Sequence, residues 1–181
     1  RKEQLLRTDQ DNALLFAGPE GNEEAVRTYC LELARYVTDC LIECGFEKCP
    51  ADIMASNPKW CQSLAGWKQH FADWISQPDP KSLMHAAIFF DFRATHGDDH
   101  LADQLFAFIS DQIEKQTLFI HHFANNALLN PPPLSFFRSF VVEKSGEHKN
   151  EFDIKRRAMM PLADAARVLC YEQGISGFTS T

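Results

Sequence analysis

Along most of this chain apolar residues recur at intervals of three and four, the signature of helices that bury one face. Val26, Cys30, Leu33, Val37, Cys40, Leu41 and Cys44 predict a first helix whose apolar side packs on a sheet. Asn22 stands where a capping residue belongs, Glu23 and Glu24 occupy the first turn, and Gly45 is placed to end the helix. Asn57-Pro58 predicts a second helix start, carried on by Trp60, Leu64, Trp67, Phe71 and Trp74/Ile75 and stopped by Pro78. That aromatic stripe at helical spacing reads as core. Asp79-Pro80 opens a third helix, and the stretch Leu83–Asp98 is apolar nearly all round, which predicts a central helix. Asp98 then caps a helix through Leu101, Leu105, Phe108/Ile109 and Ile113, and another covers Leu118 to Leu129 until Asn130 and three prolines end it. A last helix runs from Pro161 to Gln173 and stops at Gly174.

Three stretches depart from that rhythm. Ala13-Leu14-Leu15-Phe16 is a short apolar run before the turn cluster Gly18-Pro19-Glu20-Gly21-Asn22, and Phe46–Ala55 is too short for a helix between its Gly and Pro signals; both predict strands. Phe136–Lys155, with a polar turn at Ser145 to Asn150, predicts a hairpin-like excursion.

Composition changes this picture little. The 181 residues are 45% hydrophobic and 24% charged, enough for a sizeable core in one large domain or two small ones. A net charge of −7 without any Lys/Arg-rich block argues against a long polyanion as partner, so no nucleic acid is expected. No basic-then-apolar leader and no long apolar run is present, so the expectation is a cytoplasmic protein without a membrane span. The six cysteines lack paired C-x-x-C spacing and predict buried free thiols. His96, His100 and the adjacent His121-His122 show no metal-ligand pattern, and Asp98 and Asp99 beside them read as helix-start residues.

The chemistry concentrates near the start, in Arg7-Thr8-Asp9-Gln10-Asp11-Asn12. On a strand, residues two apart share a face, so Asp9 and Asp11 would present two hard carboxylates side by side, as Mg²⁺ requires beside substrate phosphates. Such a pair is what two-metal phosphoryl or nucleotidyl transfer uses.

Arg1-Lys2-Glu3-Gln4 followed by Thr8-Asp9-Gln10-Asp11-Asn12-Ala13-Leu14 resembles the second half of the active-site signature of polymerase-β-like nucleotidyltransferases. In those proteins a Gly-Ser-x-Gly-Arg turn precedes the metal-binding strand, and this chain opens at what looks like the final Arg of that turn. The chain resembles bacterial nucleotidyltransferases found beside CBS or cyclic-nucleotide-binding domains, relatives of PII uridylyltransferase and glutamine-synthetase adenylyltransferase. Asp52-Ile53-Met54-Ala55-Ser56-Asn57-Pro58 looks like the segment that supplies a third carboxylate in the adenylyltransferases, so Asp52 is either a third catalytic acid or a solvated Asp at a strand edge. Around Arg93 the chain resembles the matching adenylyltransferase helix; Arg93 is either a phosphate contact or half of a structural ion pair. Phe152-Asp153-Ile154-Lys155 and Pro161 to Arg167 also resemble the family, with Lys155 as a candidate phosphate contact and Asp153 and Asp164 more suited to pairing with Arg156, Arg157 or Arg167. Met159-Met160 stand where relatives carry glycines.

The resemblance implies an α+β fold: a truncated nucleotidyltransferase core over residues 1–55, lacking its first strand and Gly-Ser turn, then a mainly helical bundle over 56–181 treated in the family as substrate-binding. It implies Asp9, Asp11 and Asp52 as catalytic and metal-binding residues and Arg1, Thr8, Arg93 and Lys155 at the nucleotide. Mg²⁺ or Mn²⁺ would be the cofactor, a nucleoside triphosphate the donor, and a hydroxyl, such as one on a PII-like protein, the acceptor. The competing reading is a non-catalytic module that senses nucleotide or binds a partner protein.

Overall fold

The structure is a computed structural model that describes residues 9–19, 21–129, 142, 152–154 and 158–173. Among these, the protein is mostly helical with a small parallel sheet component. Strands β1 (Asp9–Gln10) and β2 (Leu14–Phe16) precede helix α1 (Glu23–Glu43), followed by β3 (Glu47–Lys48), β4 (Cys61–Ser63) and α2 (Leu64–Ser76). Helices α3 (Pro80–Phe89), α4 (Asp99–Lys115), α5 (Thr117–Leu128) and α6 (Met160–Glu172) complete the order. Both strand pairs are parallel, β1 with β3 and β2 with β4, with Leu14 opposite Cys61 and Phe16 opposite Ser63. Parallel pairing demands a crossover, and α1 supplies it.

By its contacts the chain divides into two compact units, residues 1–72 with 93–109 and residues 73–92 with 110–181. In the first, Phe16, Cys30 and Cys61 form a buried cluster with Leu14, Val26 and Leu31 against it. Trp60 and Trp67 stack at 6.1 Å, and the Trp67 indole N–H donates to the Leu14 carbonyl at 3.0 Å, so an aromatic of α2 also closes a backbone acceptor of β2. In the second unit Phe90 is fully enclosed by Phe119, Phe123 and Tyr171, and the Tyr171 hydroxyl donates to the Phe90 carbonyl at 3.0 Å. The aromatic stripe is core as expected: Trp60, Trp67, Phe71, Trp74 and Ile75 are all buried.

α1 ends as its sequence predicts. Gly45 takes φ +95°, its N–H reaches the Ile42 carbonyl and the Phe46 N–H the Leu41 carbonyl, the double bond pattern that a left-handed glycine permits. Its start differs, because the Asn22 side chain makes no capping bond and only the Asn22 carbonyl engages, accepting the Val26 N–H. The buried face differs too. Cys30, Ala34 and Thr38 are buried, whereas Leu33 and Val37 are exposed. These small residues let the helix approach the strands closely enough for the Gln10 carboxamide to reach the Thr38 carbonyl at 3.5 Å.

Three further expectations are corrected. Phe46–Ala55 is strand only at Glu47–Lys48, because the Asp52 N–H turns back to the Cys49 carbonyl at 2.9 Å. Asn57-Pro58 starts no helix: the Asn57 side chain accepts the Lys59 N–H and closes a turn, and Cys61–Ser63 then pairs as β4 before α2 begins at Leu64. The helix expected through Leu83–Asp98 stops at Phe89, with Asp91 drawn to Arg167 and Gly97 at φ +103°. Asp79 does cap α3, accepting the Ser82 N–H at 2.8 Å, and Asp98 accepts the His100 N–H at 3.0 Å ahead of α4. The Asn130–Pro133 terminator, the Gly174 stop and most of the hairpin expected over 136–155 lie outside the described residues; of that stretch only 142 and 152–154 are described, and none of them is a strand. No helix among the described residues is long and apolar enough to cross a membrane.

Candidate active site

Of the acidic stretch only Asp9 and Gln10 are strand, and Asp11 follows the end of β1 rather than sharing a strand face with Asp9. Gln10 is 5% exposed and lies under α1, while the next residue, Asp11, is exposed. Asp9 is described through its backbone alone, as the first residue of β1 opposite Glu47.

Between β1 and β2 the chain is held to the turn that carries Asp52. The Asn12 N–H donates to the Ile53 carbonyl at 3.1 Å, and the Asn12 carboxamide oxygen accepts the Ala55 N–H at 2.8 Å. Asn12 therefore fastens the residue after Asp11 to the residues after Asp52. Leu14 continues the seam by donating to the Trp60 carbonyl at 2.8 Å.

The Asp52 turn is itself tightly bonded. Asp52 takes φ +56°, a left-handed conformation that Asp tolerates better than most side chains. Asn57 Nδ2 donates to the Asp52 carboxylate at 2.8 Å and to its carbonyl at 3.1 Å, and the Trp60 indole N–H reaches that carbonyl at 3.0 Å. The carboxylate stays exposed, with one donor fixing its direction.

Cys49 joins this site, and the sequence reading missed it. Its thiol is 7% exposed, and its pKa is raised, first by burial and then by the Asp11 carboxylate beside it. The amides around Ile53 and Ala51 work in the opposite direction. Asn12 and Asn57 were missed as well; the only available signal was that two Asn side chains flank the proposed acids at short spacing.

The other proposed residues are distributed differently. Arg93 is exposed and opens the segment 93–109 that belongs to the same compact unit as Asp11 and Asp52. Arg1, Thr8 and Lys155 lie outside the described residues. Among the described residues no group of three or more His, Cys, Asp or Glu side chains gathers as a metal site; the side chain of Asp9 is not part of that set.

In the second unit the conspicuous polar group is structural. Arg167 in α6 donates through Nε and Nη2 to Asp91, at 3.0 and 2.5 Å, and through Nη1 to Asp164 at 2.5 Å. All three side chains are at most 10% exposed. Burial alone would lower the Arg167 pKa, but the two carboxylates outweigh it and hold the guanidinium more firmly protonated. Asp164 thus pairs with Arg167 as the sequence suggested, and Asp91 is held by the same cation.

Comparison with known proteins adds the reaction class. Residues 1–81 match the family described as "Putative nucleotidyltransferase DUF294", and residues 117–181 match its companion, described as "Putative nucleotidyltransferase substrate binding domain". No curated protein and no solved structure matches the chain. Together the two family matches support a nucleotidyltransferase family.

Proposed function

We propose, with these two family matches as premise, that the protein transfers a nucleoside monophosphate from a nucleoside triphosphate to a hydroxyl acceptor, with Asp9, Asp11 and Asp52 at the reacting phosphate. The single observation that favours this reading is the double grip of Asn12 on the Asp52 turn, which sets two exposed carboxylates on adjoining segments. The donor set fits the cofactor: exposed carboxylate oxygens are the ligands that Mg²⁺ and Mn²⁺ prefer. When bound, such ions supply neutralisation of the charge on the α-phosphate and the leaving pyrophosphate.

The chain's own residues do the rest. Asp11 and Asp52 hold their carboxylates toward solvent, where a triphosphate can enter, and Asn57 orients that of Asp52. In the transfer, the acceptor oxygen bonds to the α-phosphorus, the bond from that phosphorus to the pyrophosphate oxygen breaks, and Asp52 takes the hydroxyl proton. Arg1, Thr8, Arg93 and Lys155 are proposed contacts to the nucleotide phosphates, by donor geometry. A regulatory PII-like protein is the proposed acceptor, CBS or cyclic-nucleotide-binding domains are proposed neighbours in the longer protein, and the cytoplasm is its proposed location. A labelled-triphosphate transfer assay on the full-length protein with such acceptors tests the reading. Label on the acceptor supports it; nucleotide bound with no pyrophosphate released favours the sensing alternative.

A further inference from the structure

Helix α1 carries a second apolar face that its own unit leaves uncovered. Tyr29, Leu33 and Tyr36 are 66%, 43% and 69% exposed, Val37 beside them is 45% exposed, and Cys40 and Cys44 extend the row. The steps 29-33-36-40 alternate four and three, which keeps these residues on one stripe, about 20° off per heptad on a straight helix. At about 1.5 Å per residue the row from Tyr29 to Cys44 is roughly 22 Å long. Single exposed apolar residues are ordinary, but a continuous stripe with two tyrosines marks an interaction surface.

The edges of the stripe say what fits it. Glu32, Asp39 and Glu43 are exposed and fall at i, i+7 and i+11, so they line one edge together. The helix has two cations. Arg27 turns its guanidinium to the Pro58 carbonyl at 3.1 Å, and Arg35 lies beyond the acidic edge, away from the stripe. A second copy is therefore a poor occupant. Antiparallel pairing about a two-fold axis across the helices sets the acidic edge against itself, and parallel pairing offers that edge no cation from α1 of the other copy. The net charge of −7 opposes self-association as well.

We propose that this face of α1 docks an amphipathic helix of another protein, one that presents an apolar row flanked by Lys or Arg along the edge that meets Glu32, Asp39 and Glu43. The apolar row supplies burial and the charged edge sets orientation and partner choice. The proposal is independent of the transfer reaction.

The test uses the intact protein and two designed helical peptides of about five turns, each with a leucine row, one with Lys and one with Glu along its edge. The Lys peptide is expected to bind, with Leu33→Asp and Tyr36→Asp each weakening it about tenfold or more while the circular dichroism melt is unchanged. The triple variant Glu32→Lys, Asp39→Lys, Glu43→Lys is expected to reverse the preference to the Glu peptide. Equal binding of both peptides, binding indifferent to Leu33→Asp, or a concentration-dependent dimer that Leu33→Asp abolishes would each overturn the proposal.

Discussion

The Asn12 carboxamide oxygen accepts the Ala55 N–H at 2.8 Å, and the Asn12 N–H donates to Ile53 one residue past Asp52. One side chain thereby ties the segment that follows Asp11 to the turn that presents Asp52. Asn12→Ala removes the acceptor and leaves a half-buried N–H unpaired, a loss of about 1–3 kcal/mol in stability. The expected result is a lower melting temperature and weakened metal-dependent nucleotide binding, whereas Asn12→Asp keeps the acceptor and retains more of both. Thermal melts and nucleotide titrations on the two variants check this.

Asp52 itself needs an isosteric test. At φ +56° a Cβ-branched or bulky replacement is strained, so Asp52→Val mixes backbone and chemical effects. Asp52→Asn keeps a side chain at home in that conformation and removes the charge. It is expected to leave the melting temperature within a few degrees while pyrophosphate release falls; a release assay beside the melt separates the two.

The Arg167 triad predicts a large stability effect in the helical unit. Arg167→Met leaves the buried Asp91 and Asp164 carboxylates uncompensated and is expected to cost about 3–5 kcal/mol, read by urea unfolding. Replacing all three by apolar residues of similar size is expected to recover most of that loss.

Alkaline pH tests the buried thiol of the other unit. Cys61 is fully buried, and burial first, then Cys30, pushes its pKa from 9.0 up to about 11. The unfolded thiol ionises first, so its stabilising share is complete below about pH 9 and is lost as pH rises toward 11. Melting temperatures across that window are expected to fall less steeply in Cys61→Ala. The same burial orders thiol reactivity: exposed Cys44 labels first, while Cys30, Cys49 and Cys61, all raised by burial, stay protected until unfolding.

Long periodic segments were legible in the sequence because many residues repeat the same statement. α4, α5 and α6 fall where the three-four rhythm placed them, and Gly45 closes α1 as its lack of a Cβ allows. The phase of α1 was not legible. Ala34 and Thr38 are buried in preference to Leu33 and Val37 because close approach to the strands favours small side chains, which a hydrophobicity count ranks last. β4 is three residues long, too short for any period to register, and its pairing with β2 is a contact across 47 positions. Of the candidate site, the acids were legible as residue types. The Asn12 seam, the Asn57 brace on Asp52 and the Cys49 thiol beside Asp11 were not, since each depends on a turn whose closure is tertiary.

In the proposed reaction the acids at 9, 11 and 52 act on a metal-bound triphosphate. The most direct test of that role is calorimetric titration of nucleoside triphosphate into the intact protein with Mg²⁺ or Mn²⁺ and with chelator, for the wild type and for Asp9→Asn with Asp11→Asn. Binding is expected to require the cation and to disappear in the double variant. Equal, cation-independent binding by both proteins would contradict it.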